Sequence, residues 1–153
     1  MLVLRQLFDA ASSTYTYLIG DEATGQALLV DPVFEQLERD VALVRELGLD
    51  LVMSLDTHVH ADHVTAAWLL KRATGSRIVL SARGGADGVD HEVGDGDVLE
   101  LGKTRVRVLA TPGHTDGCVT YVVEDGGLAF TGDALLIRGA GRTDFQQGSA
   151  QTL

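Results

Sequence analysis

The sequence predicts an α/β protein in which helices and sheets stack in layers. In its first half, short apolar runs typical of strands alternate with segments of helical periodicity. In its second half, strand-like runs follow one another and are separated by Gly, Asp or Lys turns, as in a β-meander. No GxGxxG segment or Walker lysine loop is present, so a nucleotide-binding Rossmann fold has no support.

The individual elements can be placed in order along the chain. Residues 15–19 and 27–30 flank a polar, Gly-containing segment and predict a hairpin. Apolar residues at helical spacing predict helices over 35–47 and 64–73, which end at Gly48 and Gly75, with Trp68 in the core. The other predicted strands are 51–55, 77–80, 98–101, 104–110, 118–123 and 128–131, and His91 is expected in a solvated loop.

Length and charge narrow the functional classes. The 153 residues suit one domain, 1–153, on a prior of roughly 150 residues per domain. The formal charge of −10 argues against nucleic acid and anionic membranes as partners. No apolar stretch approaches the ~20 residues that span a bilayer, and the first residues resemble neither a signal nor a transit peptide. We therefore expect a cytoplasmic protein, in which the single Cys118 is a small core residue.

The segment from Thr57 to His63 is the strongest candidate for a functional motif. It follows a predicted strand directly, and in extended backbone the side chains of His58 and His60 point the same way. Asp62 and His63 continue toward the next predicted helix. Three imidazoles and a carboxylate so close together are difficult to explain by packing, because each needs polar partners. The segment therefore predicts a metal or catalytic site.

Two further loops also follow predicted strands and present a polar side chain. One ends in His114 after a Pro-Gly turn, and the other presents Asp133 after Gly132. Ligands from three strand ends predict a metal centre for zinc, iron or manganese. Two His and one Asp match non-haem Fe(II) oxygenases, whereas a two-metal hydrolytic site would use all the His and Asp residues, and spacing leaves both open. In the Gly-rich segment that follows, Arg138 and Arg142 either clamp a carboxylate or are solvated.

These motifs resemble the metallo-β-lactamase superfamily, whose HxHxDH motif matches the segment 58–63. Within it, the sequence is similar to the persulfide dioxygenases, and the most specific segment is 131–148, TGDALLIRGAGRTDFQQG. The other segments that carry this resemblance are 5–8, 13–18, 57–63 and 111–120. Glyoxalase II enzymes resemble the first motif equally well but usually have an FEG-type ending where this chain has residues 143–148. Flavodiiron-type proteins usually have a carboxylate where His60 stands.

The resemblance implies a fold, a reaction and a set of site residues. The fold is the metallo-β-lactamase-like αβ/βα sandwich, and one Fe(II) per chain is bound by His58, His114 and Asp133. The implied substrates are glutathione persulfide and O2, and the products are sulfite and glutathione. The implied groups around the iron, which are zinc ligands in hydrolytic relatives, are His60, Asp62 and His63. The implied contacts to glutathione are Arg142, Thr115 and Arg138.

Family members continue through a further helix and strand to a late His in a PAH-like motif, and this sequence ends before it. We therefore expect a sandwich that lacks its C-terminal elements and the last ligand of a two-metal site. Two alternatives stay open. The chain is a zinc-dependent hydroxyacylglutathione hydrolase of the glyoxalase II kind, or it is an incomplete metal-binding domain without turnover. Whether it forms a homodimer is also open, because an unpaired sheet edge favours association.

Overall fold

A computed structural model describes residues 1–153 and contains two sheets. The first sheet has six strands in chain order, with antiparallel pairing from β1 to β3 and parallel pairing from β3 to β6. These strands are β1 (Leu2–Asp9), β2 (Thr14–Asp21), β3 (Gln26–Val30), β4 (Asp50–Leu55), β5 (Arg77–Ser81) and β6 (His91–Val93). The second sheet is antiparallel, in the order β10-β9-β8-β7. Its strands are β7 (Val98–Leu101), β8 (Thr104–Ala110), β9 (Val119–Val123) and β10 (Leu128–Phe130).

Two cores hold these layers together. Helices α1 (Leu37–Glu46) and α2 (Ala67–Thr74) connect parallel strands and cover the outer face of the first sheet. Because neighbouring side chains on a strand point to opposite faces, Leu29 packs under the helices while Leu28 packs between the sheets. The core between the sheets contains 15 buried apolar residues, and the core under the helices contains eight. The predicted layered α/β architecture is therefore confirmed.

The sequence missed two edge strands of the first sheet. Strand β1 carries exposed residues along much of its length, so its hydrophobic pattern is weak. Strand β6 has only three residues, and its first, His91, had been predicted in a loop. His91 is nevertheless exposed, as expected.

The second helix also differs from its prediction. It begins at Ala67 rather than at residue 64, because Val64 and Thr65 pair with the chain at Phe34 and Val33. Trp68 was predicted in the core but is 56% exposed, because Ala67 and Leu70 face the sheet instead. The guanidinium of Arg72 lies over the Trp68 ring, 4.9 Å from its centroid. No helix combines the length and the apolar character needed to cross a membrane.

A tyrosine joins the two sheets close to the predicted site. Tyr121 on β9 is fully buried, and its hydroxyl donates to the backbone carbonyl of Asp56, just after β4, at 3.0 Å. Replacing Tyr121 with phenylalanine leaves that carbonyl unpaired, so we expect the free energy of unfolding to fall by about 1–2 kcal/mol. Urea unfolding measures this change. The matched control is Tyr17→Phe, whose hydroxyl makes only an exposed contact with Gln6, and it should change stability by less than about 0.5 kcal/mol. Equal effects of both variants would contradict this role for Tyr121.

Candidate metal centre

The predicted site residues lie at one edge of the sandwich. Strands β3 and β4 run parallel, and β8 and β10 run in the same direction because both pair antiparallel with β9. His58 follows the end of β4, His114 follows β8, and Asp133 follows β10. The carboxyl ends of these strands meet at this edge, which brings together side chains that are far apart in the sequence.

Three of these side chains form a compact set of potential metal ligands. One ligand atom from each of His58, His114 and Asp133 lies within 4.8 Å of the others. Nε2 of His114 is 3.3 Å from Oδ2 of Asp133, and the ring centroids of His58 and His114 are 4.8 Å apart. The donor set is two imidazole nitrogens and one carboxylate oxygen, which is the set that non-haem Fe(II) sites use. The residues present therefore fit a ferrous ion.

The Gly-rich segment after Asp133 orients two of these ligands. Nδ1 of His114 donates to the backbone carbonyl of Arg142 at 2.7 Å, which leaves Nε2 of the same ring free to bind a metal. The N–H of Gly141 donates to the backbone carbonyl of Asp133 at 2.6 Å. A Cβ atom at position 141 would lie 2.6 Å from Nδ1 of His114 and 2.8 Å from Cβ of Asp133. Only glycine fits here without displacing a ligand.

Electrostatics keep His58 in the form that binds metals. Burial disfavours the charged ring, and the neighbouring His60 adds like-charge repulsion, which together lower the pKa of His58 to about 3. His58 is only 2% exposed. The ring is therefore neutral at physiological pH, with a nitrogen lone pair available for a metal ion.

A second cluster lies beside the first. Ligand atoms of His60, Asp62 and His63 also lie within 4.8 Å of one another. Nδ1 of His63 lies 3.2 Å from Oδ1 of Asp62 and 3.2 Å from Oγ1 of Thr14. The other ring nitrogen of His63, Nε2, is buried and has no hydrogen-bond partner. This arrangement is compatible with both expectations for these residues, namely groups around a single iron or ligands to a second metal.

Two buried carboxylates behind His60 were not found from the sequence. Oδ1 of Asp31 is 3.1 Å from Nε2 of His60, and Oδ1 of Asp56 is 3.9 Å from it. Burial disfavours the charged form of His60, but the facing carboxylates outweigh it and raise the pKa of the ring to about 9. Burial raises the pKa of Asp56 to about 7, whereas the charge and hydrogen bond of His60 outweigh burial at Asp31 and lower its pKa. The one sequence signal for Asp31 was its position directly after a strand.

An open cleft of about 420 Å³ borders the metal-ligand candidates. Asp133, His60 and Asp62 lie on its lining, so a molecule in the cleft can reach the candidate centre. The lining also includes aromatic and aliphatic side chains, namely those of Tyr15, Tyr17, Phe130, Leu135, Leu136 and Ile137. The cleft lining therefore combines polar groups with aromatic and aliphatic side chains, as small-molecule sites commonly do.

The three residues predicted to contact glutathione occupy different environments. Arg142 is exposed and makes two hydrogen bonds to the carboxylate of Asp144, at 2.8 and 3.0 Å. Arg138 lies in a tight turn with a φ of 64°. Thr115 is buried, and its hydroxyl is 3.1 Å from the sulfur of Cys118, which is buried as expected. None of the three lines the cleft, so their contacts with substrate stay predictions.

Comparison with known proteins agrees with this geometry. The family model "Metallo-beta-lactamase superfamily" matches residues 10–153. The mitochondrial persulfide dioxygenase ETHE1 of Bos taurus is 52% identical over 153 residues, which cover 99% of this chain and 60% of that protein. The crystal structure of ETHE1 from Myxococcus xanthus superposes with a TM-score of 0.94 and 54% identity, over 98% of this chain and 65% of that chain.

Hydroxyacylglutathione hydrolases, the alternative function considered from the sequence, are also similar to this chain but at lower identity. A hydroxyacylglutathione hydrolase of Cereibacter sphaeroides is 36% identical over 152 residues, which cover 93% of this chain and 55% of that protein. The chain spans about 60% of the length of the persulfide dioxygenase it matches in cattle. The similarity thus includes the strands and loops that carry the candidate centre.

Proposed function

We propose that this chain, which belongs to the metallo-β-lactamase superfamily, carries the active site of an Fe(II)-dependent persulfide dioxygenase. The observation that carries the proposal is the ligand set of His58, His114 and Asp133, whose donor atoms lie within 4.8 Å of one another. Two imidazoles and one carboxylate on one side of an iron leave the other positions open. The similarity to persulfide dioxygenases supports the choice of this chemistry.

The proposed reaction oxidises the terminal sulfur of glutathione persulfide. One persulfide, one O2 and one water give one glutathione thiol, one sulfite and two protons. The S–S bond breaks, and the outer sulfur gains three oxygen atoms while O2 is reduced. A single Fe(II), when bound, would supply the redox chemistry and bring the sulfur and O2 together.

The chain's own residues bind and orient the reactants. The imidazoles of His58 and His114 and the Asp133 carboxylate would hold the iron beside the cleft, whose lining includes Asp133. The aromatic and aliphatic side chains of the cleft lining, among them Tyr17 and Leu136, would provide apolar contacts for the persulfide substrate. Arg142 would bind a glutathione carboxylate in place of its present partner Asp144, and Arg138 and Thr115 are proposed as further contacts.

The second cluster supports one alternative reaction. The unpartnered, buried Nε2 of His63, together with His60 and Asp62, suits a second metal ion. The alternative function is therefore zinc-dependent hydrolysis of a hydroxyacylglutathione thioester. In the persulfide dioxygenase, His60, Asp62 and His63 would instead surround the single iron. A chain that binds metal without turnover is the third possibility, and turnover in either assay below would exclude it.

Assembly and location complete the proposal. We propose one domain over residues 1–153, a cytoplasmic location and a homodimer as the assembly to test. The similar protein from cattle is described as mitochondrial, so the cellular location of this chain has to be tested independently of its activity. Size-exclusion chromatography with light scattering distinguishes a dimer from a monomer.

The arginine contact gives a kinetic prediction. Replacing Arg142 with alanine removes a charge-assisted, bidentate hydrogen bond, so we expect the KM for glutathione persulfide to rise about 10–100-fold with a smaller change in kcat. Steady-state O2 consumption measures both constants. The control is Arg83→Ala, because Arg83 is also exposed and paired with an aspartate, Asp116, but it lies outside the Gly-rich segment in which the backbone of Arg142 contacts His114. An unchanged KM in Arg142→Ala would remove Arg142 from the substrate site.

A paired activity assay tests the function itself. Protein loaded with Fe(II) under anaerobic conditions is mixed with glutathione persulfide and O2, and separately with a hydroxyacylglutathione. The proposal predicts O2 uptake with one sulfite formed per O2 and no thioester cleavage. Thioester cleavage without O2 uptake would replace it with the hydrolase.

A further inference from the structure

A buried threonine lies between a carboxylate and one of the candidate metal ligands. Thr57 lies two residues after the end of β4 and directly before His58, and it is 1% exposed. Its Oγ1 is 3.0 Å from Oδ2 of Asp31 and 3.0 Å from Nδ1 of His58. The backbone N–H of Thr57 also donates to Oδ1 of Asp31, at 2.7 Å. Thr57 thus bridges Asp31 and His58 through a single oxygen atom.

The direction of these two hydrogen bonds follows from the groups involved. A hydroxyl has one proton to donate, and an ionised carboxylate only accepts. The Thr57 hydroxyl therefore donates to Asp31 and has only its lone pairs to offer to His58. Nδ1 of His58 must then carry the proton of the neutral ring, which leaves Nε2 unprotonated.

His114 reaches the same state by a different route. Its Nδ1 faces the backbone carbonyl of Arg142, which only accepts, so Nδ1 of His114 carries a proton and Nε2 is the nitrogen left to face a metal ion. Unprotonated Nε2 atoms on both rings are what a metal ion between them requires. The Thr57 hydroxyl thus accepts a hydrogen bond from Nδ1 of His58, as the Arg142 carbonyl does from Nδ1 of His114.

The loop that carries Asp133 packs against the same threonine. A Cβ atom at position 132 would collide with Oγ1 and Cβ of Thr57, and Gly132 has a φ of +49°. The hydroxyl is therefore enclosed by Asp31, His58 and the backbone of Gly132. Its position is fixed by its neighbour His58 and by two distant segments of the chain, at Asp31 and Gly132.

We propose that Thr57 is a positioning residue for the metal centre, whose hydroxyl connects Asp31 to His58 and holds the His58 ring with Nδ1 protonated and Nε2 free. This inference rests on the proposed role of His58 as a ligand. It goes beyond that role because it assigns the choice of tautomer to a residue that does not itself bind the metal.

The first test needs neither a metal nor a variant. Long-range 1H–15N correlation spectra of the metal-free, 15N-labelled chain distinguish the protonated from the unprotonated nitrogen of each histidine ring. The proposal predicts protonated Nδ1 and unprotonated Nε2 for His58. A His58 ring protonated on Nε2 would overturn the proposal.

The second test compares variants of Thr57 by tautomer and by metal affinity. Thr57→Val keeps the branched shape but removes the hydroxyl, and we expect His58 to lose its Nδ1–H preference and Fe(II) affinity to fall about 10–100-fold. Anaerobic competition with a chromophoric chelator measures the affinity. Thr57→Ser retains the hydroxyl and should restore both properties. Thr104→Val is the matched control, because Thr104 is also a buried threonine but lies at the start of β8, whereas His114 follows the end of that strand.

The outcomes separate this inference from the proposed function. If Thr57→Val keeps both the wild-type tautomer and the wild-type affinity, the hydroxyl does not position His58. If Thr57→Val does not fold, Thr57→Ala is measured against the same two criteria. A wild-type chain that shows no dioxygenase activity would overturn the proposed function but leave the His58 tautomer, read in the metal-free protein, as a separate result.

Discussion

Replacing Asp133 with alanine is expected to remove iron from the protein and to lower the rate of O2 consumption at least about 1,000-fold, equivalent to about 4 kcal/mol. The physical reason is that Asp133 supplies the only anionic donor in the set it forms with His58 and His114. Without its charge, two neutral imidazoles have to hold a divalent cation alone. Metal analysis after purification and anaerobic reloading measures the occupancy, and O2 uptake measures the rate.

The control for this variant removes a carboxylate elsewhere. Asp116 lies close to His114 in the sequence, but it is exposed and pairs with Arg83. Asp116→Ala should keep wild-type iron content and activity. If Asp133→Ala retained one iron per chain and full turnover, Asp133 would not be a ligand.

The second large effect, a loss of iron affinity, is expected from substitution of Gly141. Replacing Gly141 with alanine places a methyl group 2.6 Å from Nδ1 of His114 and 2.8 Å from the backbone carbonyl oxygen of Asp133. Because backbone and ligand side chains surround this position, the ligands must move apart. We expect iron affinity to fall at least about 10–100-fold, as for loss of a group that orients a ligand. Circular dichroism should show that the sheets remain folded.

Gly139 offers a control two residues away in the same segment. A Cβ atom added there meets nothing within 4 Å. Gly139→Ala should therefore bind iron like the wild-type protein. Equal losses in Gly139→Ala and Gly141→Ala would indicate that the segment needs flexibility, and the steric explanation would then be wrong.

The positions of the candidate ligands could be proposed from the sequence, because each depends on local sequence. His58, His114 and Asp133 all follow the end of a strand, and a strand end can be recognised from a few neighbouring residues. The parallel and antiparallel order of the sheets then brings these ends to one edge. For the same reason the layered α/β fold was predictable from alternating elements.

The groups that orient the candidate ligands could not be predicted, because they come from distant parts of the chain. The carbonyl of Arg142 and Nδ1 of His114 are 28 residues apart, and Asp31 and Thr57 are 26 residues apart. No local pattern specifies such contacts, since they depend on how the loops fold over one another.

Elements at the edges of the fold were difficult for a related reason. Strand β1 pairs only with β2, so its exposed side gives it no clear hydrophobic pattern. The burial of Trp68 depends on which side of α2 faces the sheet. The spacing of apolar residues alone did not identify the side that carries Ala67 and Leu70 as the buried one.

The identity and number of bound metal ions test the central claim most directly. The protein is purified without added metal, its metal content is measured, and the measurement is repeated after anaerobic loading with Fe(II). A single centre formed by His58, His114 and Asp133 predicts one iron per chain, with O2 uptake on glutathione persulfide proportional to iron content. Two zinc ions per chain, with thioester cleavage and no O2 uptake, would contradict it.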